Sequence, residues 1–416
     1  MNAAMMLVCL AGGMWVGQPK DTVFQSSDLQ VKRFTTRVKD QEFPFHMLMF
    51  HRTALGVNYL KPEKKAAHGK PDVDFSRLAT SYYHPRSPVG VALQKFNWFP
   101  GLINTYHADA RLPASTVGMG LDPLGQLVNL WSEPPVAVLE LEVGTIASYA
   151  RPTQQMHFIA RQPTFVKLSL PAAGKPRYFH FVQDALDRGA ELRIDEGELR
   201  ATFEKKGGER FYHLIVVEIY KEPDHNVLKE LMTKEAMVML MSKLYEDGVI
   251  CYHTSNRYYD HVSILGSVAK DLGYGCLVGR NFEHRRDGMS DFSSEWVMVA
   301  RKQEYLRHLK APPGYEKEND SPYWFRPPRT DKYFAWTDKG EKSFRGIYFG
   351  DPDIHLLHDA VRDLMWDIAD YFGESSRVAY PLFRSIDQVF YSWSARSAEL
   401  KNRGIPESAR KETEMK

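Results

Sequence analysis

Cysteine is scarce: Cys9, Cys251 and Cys276 are the three in 416 residues. An odd number with no close pair excludes a disulfide framework and a thiolate zinc site, and it points to a reducing, cytoplasmic compartment. Charge of one sign is missing too. The chain carries 54 Lys and Arg against 52 Asp and Glu, a net +2, so bulk charge names no partner. Basic residues such as Arg285 and Arg286 are interleaved with acids, which argues against nucleic-acid binding. Internal repeats, low-complexity tracts, a G-x-x-x-x-G-K-[ST] phosphate loop and an H-E-x-x-H helix are all absent. His355 and His358 are three residues apart beside Asp351 and Asp359, but no third ligand is assignable, so no metal is expected. The one long apolar run, Ala3 to Val16, is shorter than the roughly 20 residues of a spanning helix, and its first basic residue, Lys20, follows it rather than precedes it. Three readings of that run stay open: the end of a spanning helix, an interfacial or packed helix that would give membrane association through the N-terminus, and an export signal of unusual form.

With 43% apolar and 12% aromatic residues the chain can bury a large core, and its length suits two or three domains. Four regions follow from texture: an apolar segment at 1–20, a β-rich region at 21–112, an alternating region at 113–310, and a Pro-rich linker with helices at 311–416. In the β-rich region Val31, Phe34, Phe43, Phe45, Met47, Met49 and Val57 recur near period two, which predicts a small β-hairpin region. From Ser115 on, strand-like runs alternate with helix-like ones: Val136 to Leu141, Met156 to Ile159, Glu191 to Ile194, His213 to Val217, Gly248 to His253 and Trp296 to Ala300. Thr233 caps a predicted helix through Met237, Leu240, Met241 and Leu244, after which Asp247-Gly248 should turn the chain into the strand Val249-Ile250-Cys251. Another helix is expected over His261 to Leu272. Alternation at this interval predicts an α/β fold, a doubly wound Rossmann-like and mostly parallel sheet that binds ligands at the carboxyl ends of its strands. Two further helices, starting at Pro352 and Pro381, form the C-terminal extension.

The run VAVLELEVGTIASYARP, Val136 to Pro152, is followed in order by MHFIARQP, ELRIDEGELR, LIVVEIY and GVICYHTSNRYYD. Together these resemble the spermidine-synthase-like branch of the methyltransferase-fold proteins, most of all bacterial members fused behind a membrane segment. The resemblance covers roughly Phe50 to Leu306, with a weaker echo at Ala335-Trp336-Thr337-Asp338. It implies an aminopropyl transferase of polyamine biosynthesis, with decarboxylated S-adenosylmethionine as co-substrate, a diamine as acceptor and no tightly bound cofactor.

On that resemblance the first strand ends in a glycine-rich turn, of which Gly144 remains while Glu140 and Glu142 stand where two glycines are expected. A carboxylate there crowds the nucleoside and repels any carboxylate the ligand carries, each at a cost on the order of a kcal/mol. The paired ribose-binding acids become Ala160 and Gln162, and a neutral amide is the weaker acceptor by roughly a kcal/mol. Glu198, after Gly197, replaces the aspartate that reads the adenine amino group. Glu218 falls where the family places a catalytic aspartate, which holds and deprotonates the substrate ammonium. Asp224 is what remains of the acidic gate. Tyr83 and His84 match a Tyr-His pair at the pocket mouth, with Asn58 expected nearby, and Ser255-Asn256-Arg257 shapes the turn after the fifth strand. Apart from the resemblance, Val117-Gly118-Met119-Gly120 reads as a plain strand-end turn, with a ligand loop as the alternative.

Three functions compete on this scaffold. One is a working aminopropyl transferase binding a small-molecule amine and a nucleoside. Another is a pseudoenzyme serving as a binding or structural module. The third is a small-molecule methyltransferase using S-adenosylmethionine, which the two glutamates disfavour. The eroded motifs favour a weak or inactive site. The number of copies that assemble, a homodimer included, is left open.

Overall fold

A computed structural model describes residues 21–26, 29–38, 41–50, 53–61, 75–98, 134–218, 230–255, 261–281, 292–309, 323–327 and 338. The expectations for the apolar N-terminal run, for Val117 to Gly120, for Asp224 and for the two C-terminal helices lie outside these residues. The described residues from 21 to 255 and from 262 to 338 belong to one compact unit.

The N-terminal part is larger than a hairpin. Strands β1 (Asp21–Gln25), β2 (Leu29–Val38), β3 (Gln41–Phe50) and β4 (Thr53–Tyr59) form an antiparallel sheet in chain order. Period two accounts for both of its faces. Phe34, Phe43, Phe45, Met47, Val57 and Tyr59 pack together on one side, where the Phe34 and Phe45 rings stack at 5.3 Å. Leu29, Val31, Leu48 and Leu55 join the main core on the other. A register shift between Leu48 and Met49 lets Leu55 share a face with Leu48.

The second sheet holds β5 (Val136–Leu139), β6 (Gln155–Ala160), β7 (Glu191–Glu196), β8 (Tyr212–Glu218), β9 (Leu244–His253), β10 (Gly275–Asn281), β11 (Ser294–Ala300) and the short β12 (Tyr323–Phe325). Its order is β12-β10-β11-β9-β8-β5-β6-β7. Strands β7, β6, β5, β8 and β9 run parallel, and β11 is inserted antiparallel between β9 and β10. That order, with its reversed insertion, is the methyltransferase fold. The chain reverses its winding between β5 and β8, the point where open α/β sheets bind ligands. Buried on both faces, β8 reads as one apolar run, Leu214 to Val217, each fully buried.

Helices α1 (Pro88–Trp98), α2 (Pro163–Ser169), α3 (Phe181–Asp187), α4 (Leu199–Lys206), α5 (Lys234–Lys243) and α6 (His261–Asp271) accompany the sheets. The Thr233 hydroxyl accepts from the Ala236 N–H at 3.2 Å, so the expected cap forms. The strand after it starts earlier than the sequence suggested. β9 begins at Leu244, directly after α5, and Asp247-Gly248 lies within it rather than before it. No described helix is long and apolar enough to cross a membrane.

A cleft of about 450 Å³ lies at the amino ends of β6, β7 and β8, lined in part by His157, Arg193, Lys206 and Tyr212. Four of its polar side chains are taken up by one another or by Asp195. His157 Nε2 donates to Asp195 at 2.8 Å and the Tyr212 hydroxyl donates to His157 Nδ1 at 2.6 Å, while Arg193 and Lys206 hold the same Asp195 at 2.8 and 2.7 Å. Burial lowers the pKa of His157 below 6.5, more than the Asp195 bond raises it. His46, bonded through Nδ1 to the Tyr178 carbonyl, and His180 are likewise lowered, in each case chiefly by burial.

The sign for stability follows. As pH falls through 6.5 the unfolded chain takes up protons at these three histidines before the folded chain does, so folding stability decreases. Asp247 and Glu230, whose carboxyls burial holds above their ordinary range, act in the opposite sense as pH falls through their raised folded values. Denaturant midpoints should therefore fall steadily from about pH 7.5 to about pH 5.5. A flat profile across that window would show that the histidines stay accessible.

Candidate active site

Two residues singled out in the sequence, Glu140 and Glu218, lie at strand ends beside two that were not, Arg161 and His253. Glu140 follows β5, Arg161 follows β6, and Glu218 and His253 are the last residues of β8 and β9. All four positions are carboxyl ends of parallel strands, beside the reversal of winding.

The turn after β5 keeps a glycine-type backbone without the glycines. Glu140 has φ +93°, Glu142 φ +49° and Gly144 φ +74°. Side chains other than glycine pay about 1 kcal/mol or more in this region. At Gly144 a Cβ would also lie 2.5 Å from Val182 Cγ2, so glycine is required there twice over. Gly144 opens the 3₁₀ turn Thr145–Tyr149. The two glutamates tolerate their conformation because both carboxyls are bonded and buried, each at 2% exposure. Glu140 Oε1 accepts from the Arg161 backbone N–H at 3.3 Å, just beyond the end of β6. Glu142 Oε2 accepts from the Tyr83 hydroxyl at 3.1 Å.

Tyr83 links two carboxyls. Burial first, then the charges of Glu142 and Glu218, push its phenol well above the ordinary value, so it remains a neutral donor. Its hydroxyl interacts with both acids but has one proton, given to Glu142. Glu218 is buried at 4% exposure. Its Oε2 lies 2.7 Å from His253 Nδ1, and its Oε1 has no hydrogen-bond partner among the described residues. The result is a buried chain, Glu142, Tyr83, Glu218, His253, that brings Tyr83 beside Glu218. His253 escaped the sequence reading. The signal available was a histidine ending the buried run Val249 to Tyr252.

Other candidates do not join this cluster. His84 is buried, but its Nδ1 accepts from the Arg86 N–H at 3.2 Å within its own turn, so the expected Tyr-His pair is split. Asn58 braces a different seam, donating to the Ser76 carbonyl and accepting from the His180 N–H, both at 2.9 Å. Gln162 and Glu198 are the residues before α2 and α4, and neither side chain caps its helix. Glu198 is exposed. Ser255 is recruited, since its Oγ lies 2.9 Å from His253 Nε2 and accepts from the Glu295 N–H at 2.7 Å.

No protein-family model and no curated protein matches this chain. Among solved structures, spermidine synthase from Thermotoga maritima aligns over 76% of this chain and 81% of its own, at 12% identity and a TM-score of 0.39. The chain resembles spermidine synthases. A probable spermidine synthase from Corynebacterium glutamicum covers 67% of this chain and 78% of its own, at 9% identity and a TM-score of 0.37. A precorrin-6y C5,15-methyltransferase from Geobacter metallireducens covers 40% and 80%, at 11% identity and a TM-score of 0.28. At these scores the likeness carries no argument about activity, which has to come from the site.

Proposed function

We propose that this is a spermidine-synthase-like protein whose aminopropyl transfer is weak or lost, with the amine-binding half of the site retained and the nucleoside half obstructed. One observation carries the reading. The two glycine-type positions after β5 hold buried glutamates, whose carboxyls reach toward the end of β6 and toward Tyr83. A sulfonium nucleoside, in the family decarboxylated S-adenosylmethionine, needs the backbone of that turn bare. Gln162 and the exposed Glu198 offer little to hold its ribose and adenine.

The amine half is better supplied. Glu218, with an oxygen unpaired among the described residues, and Tyr83, a neutral phenol, offer acceptors suited to an ammonium. Were transfer to occur, Glu218 would take one proton from the substrate ammonium, and the nitrogen lone pair so exposed would form a C–N bond as the C–S bond of the sulfonium breaks. Methylation is the weaker alternative, because ordinary S-adenosylmethionine adds a carboxylate that Glu142 would repel.

Calorimetric titration of the intact chain tests this. Putrescine should bind, while decarboxylated S-adenosylmethionine should show no saturable binding below about 1 mM, a free energy of about 4 kcal/mol. Tight nucleoside binding with turnover of putrescine would overturn the obstructed reading.

A further inference from the structure

We propose that His253 is a positioning residue, which fixes one oxygen of Glu218 and so leaves the other to meet a bound ammonium. The inference rests on the amine-binding reading above. Both side chains are buried, His253 at 0% and Glu218 at 1% side-chain exposure. Nδ1–H donates to the Glu218 carboxylate oxygen Oε2 at 2.7 Å, and Nε2 lies 2.9 Å from the Ser255 hydroxyl.

The ring is held on its faces as well as its edges. It stacks on Trp296 with centroids 4.3 Å apart and an interplanar angle of 8°, and Tyr82 packs against it at 4.9 Å. Ser255 is itself anchored by the Glu295 N–H. An imidazole bonded at both nitrogens and stacked cannot flip or swing, so it pins Oε2 in one place. The Tyr83 hydroxyl donates to Glu142 at 3.1 Å and also interacts with Glu218. Oε1 has no hydrogen-bond partner among the described residues, and a buried acceptor so placed favours a ligand that donates. An ammonium supplies both the hydrogen bond and the positive charge. Among the described residues Glu218 also faces Tyr83, kept neutral, with Glu142 across it, an arrangement that favours a cation over an anion.

Putrescine titrated into the intact chain and three variants tests the role. Asparagine presents an amide N–H close to where Nδ1 lies, so His253→Asn should keep the affinity within about threefold, whereas His253→Leu should lose at least about tenfold. Glu218→Gln should lose as much as His253→Leu. Equal losses in His253→Asn and His253→Leu, or wild-type affinity in His253→Leu, would overturn the role. A proton spectrum of the unliganded chain supplies a second readout. A far-downfield resonance from Nδ1–H, lost in Glu218→Gln, supports the pinned pair, and its absence in the wild type sinks it. If putrescine fails to bind the wild type, the amine reading fails, and this spectrum alone decides the pairing.

Discussion

Changing Glu140 and Glu142 together to glycine is expected to raise affinity for decarboxylated S-adenosylmethionine by about 100-fold or more, equivalent to about 2.7 kcal/mol. Three effects combine. Both backbones already sit at positive φ, +93° and +49°, where glycine is unstrained and glutamate is not. Neither turn has to move. Two carboxyethyl groups now buried at 2% exposure leave the turn, which clears its backbone for the close approach a nucleoside needs. The Arg161 N–H, now given to Glu140, becomes available to the ligand. The ligand carries no carboxylate, so the gain is one of space rather than of relieved repulsion.

Stability should change little, because relief of strain at two positions offsets two lost hydrogen bonds of about 1 kcal/mol each. Each single variant should gain less than half of the effect on a logarithmic scale, since either remaining side chain still fills part of the turn. Calorimetry with decarboxylated and ordinary S-adenosylmethionine measures the gain. A folded double variant that binds neither would place the obstruction elsewhere.

The scaffold was legible in the sequence because its strands are short apolar runs separated at crossover intervals, and Thr233 marks a helix start by chemistry local to it. The reversed β11 was not read as such. It is joined to β10 by residues 282–293, a link short enough for an antiparallel return, and that length was the available signal. The site divided similarly. Glu140 and Glu142 stood out because they break a glycine pattern, yet only the coordinates show that the glycine-type backbone persists beneath them. The Tyr83-His84 dipeptide read as a pair. Ser81 at φ +59° and the turn that follows it send the two side chains to different partners, Tyr83 to Glu142 and His84 to Arg86. The bond between Glu218 and His253 joins residues 35 apart, and nothing in either local stretch reports a contact made by two parallel strands lying side by side.

Trp296→Ala should produce the largest loss of stability, about 3 to 5 kcal/mol, and should abolish putrescine binding in whatever fraction stays folded. Trp296 is fully buried on β11, in the main core. Its ring lies flat against His253 and within 6.0 Å of Tyr83, so one side chain supports two members of the acid chain. Truncation removes that support and leaves a cavity in a core that relaxes only in part. Its indole N–H has no hydrogen-bond partner among the described residues, so the role of the ring there is packing and stacking rather than polar bonding. Trp296→Phe separates these contributions. Phenylalanine keeps a flat ring against the imidazole and removes the unsatisfied donor, so its cost should stay below about 2 kcal/mol with putrescine affinity kept within about fivefold. Denaturant midpoints with unchanged slopes give the stabilities, and calorimetry gives the affinities. If Trp296→Phe loses binding as completely as Trp296→Ala while remaining stable, the indole itself contributes to the site and the packing account fails.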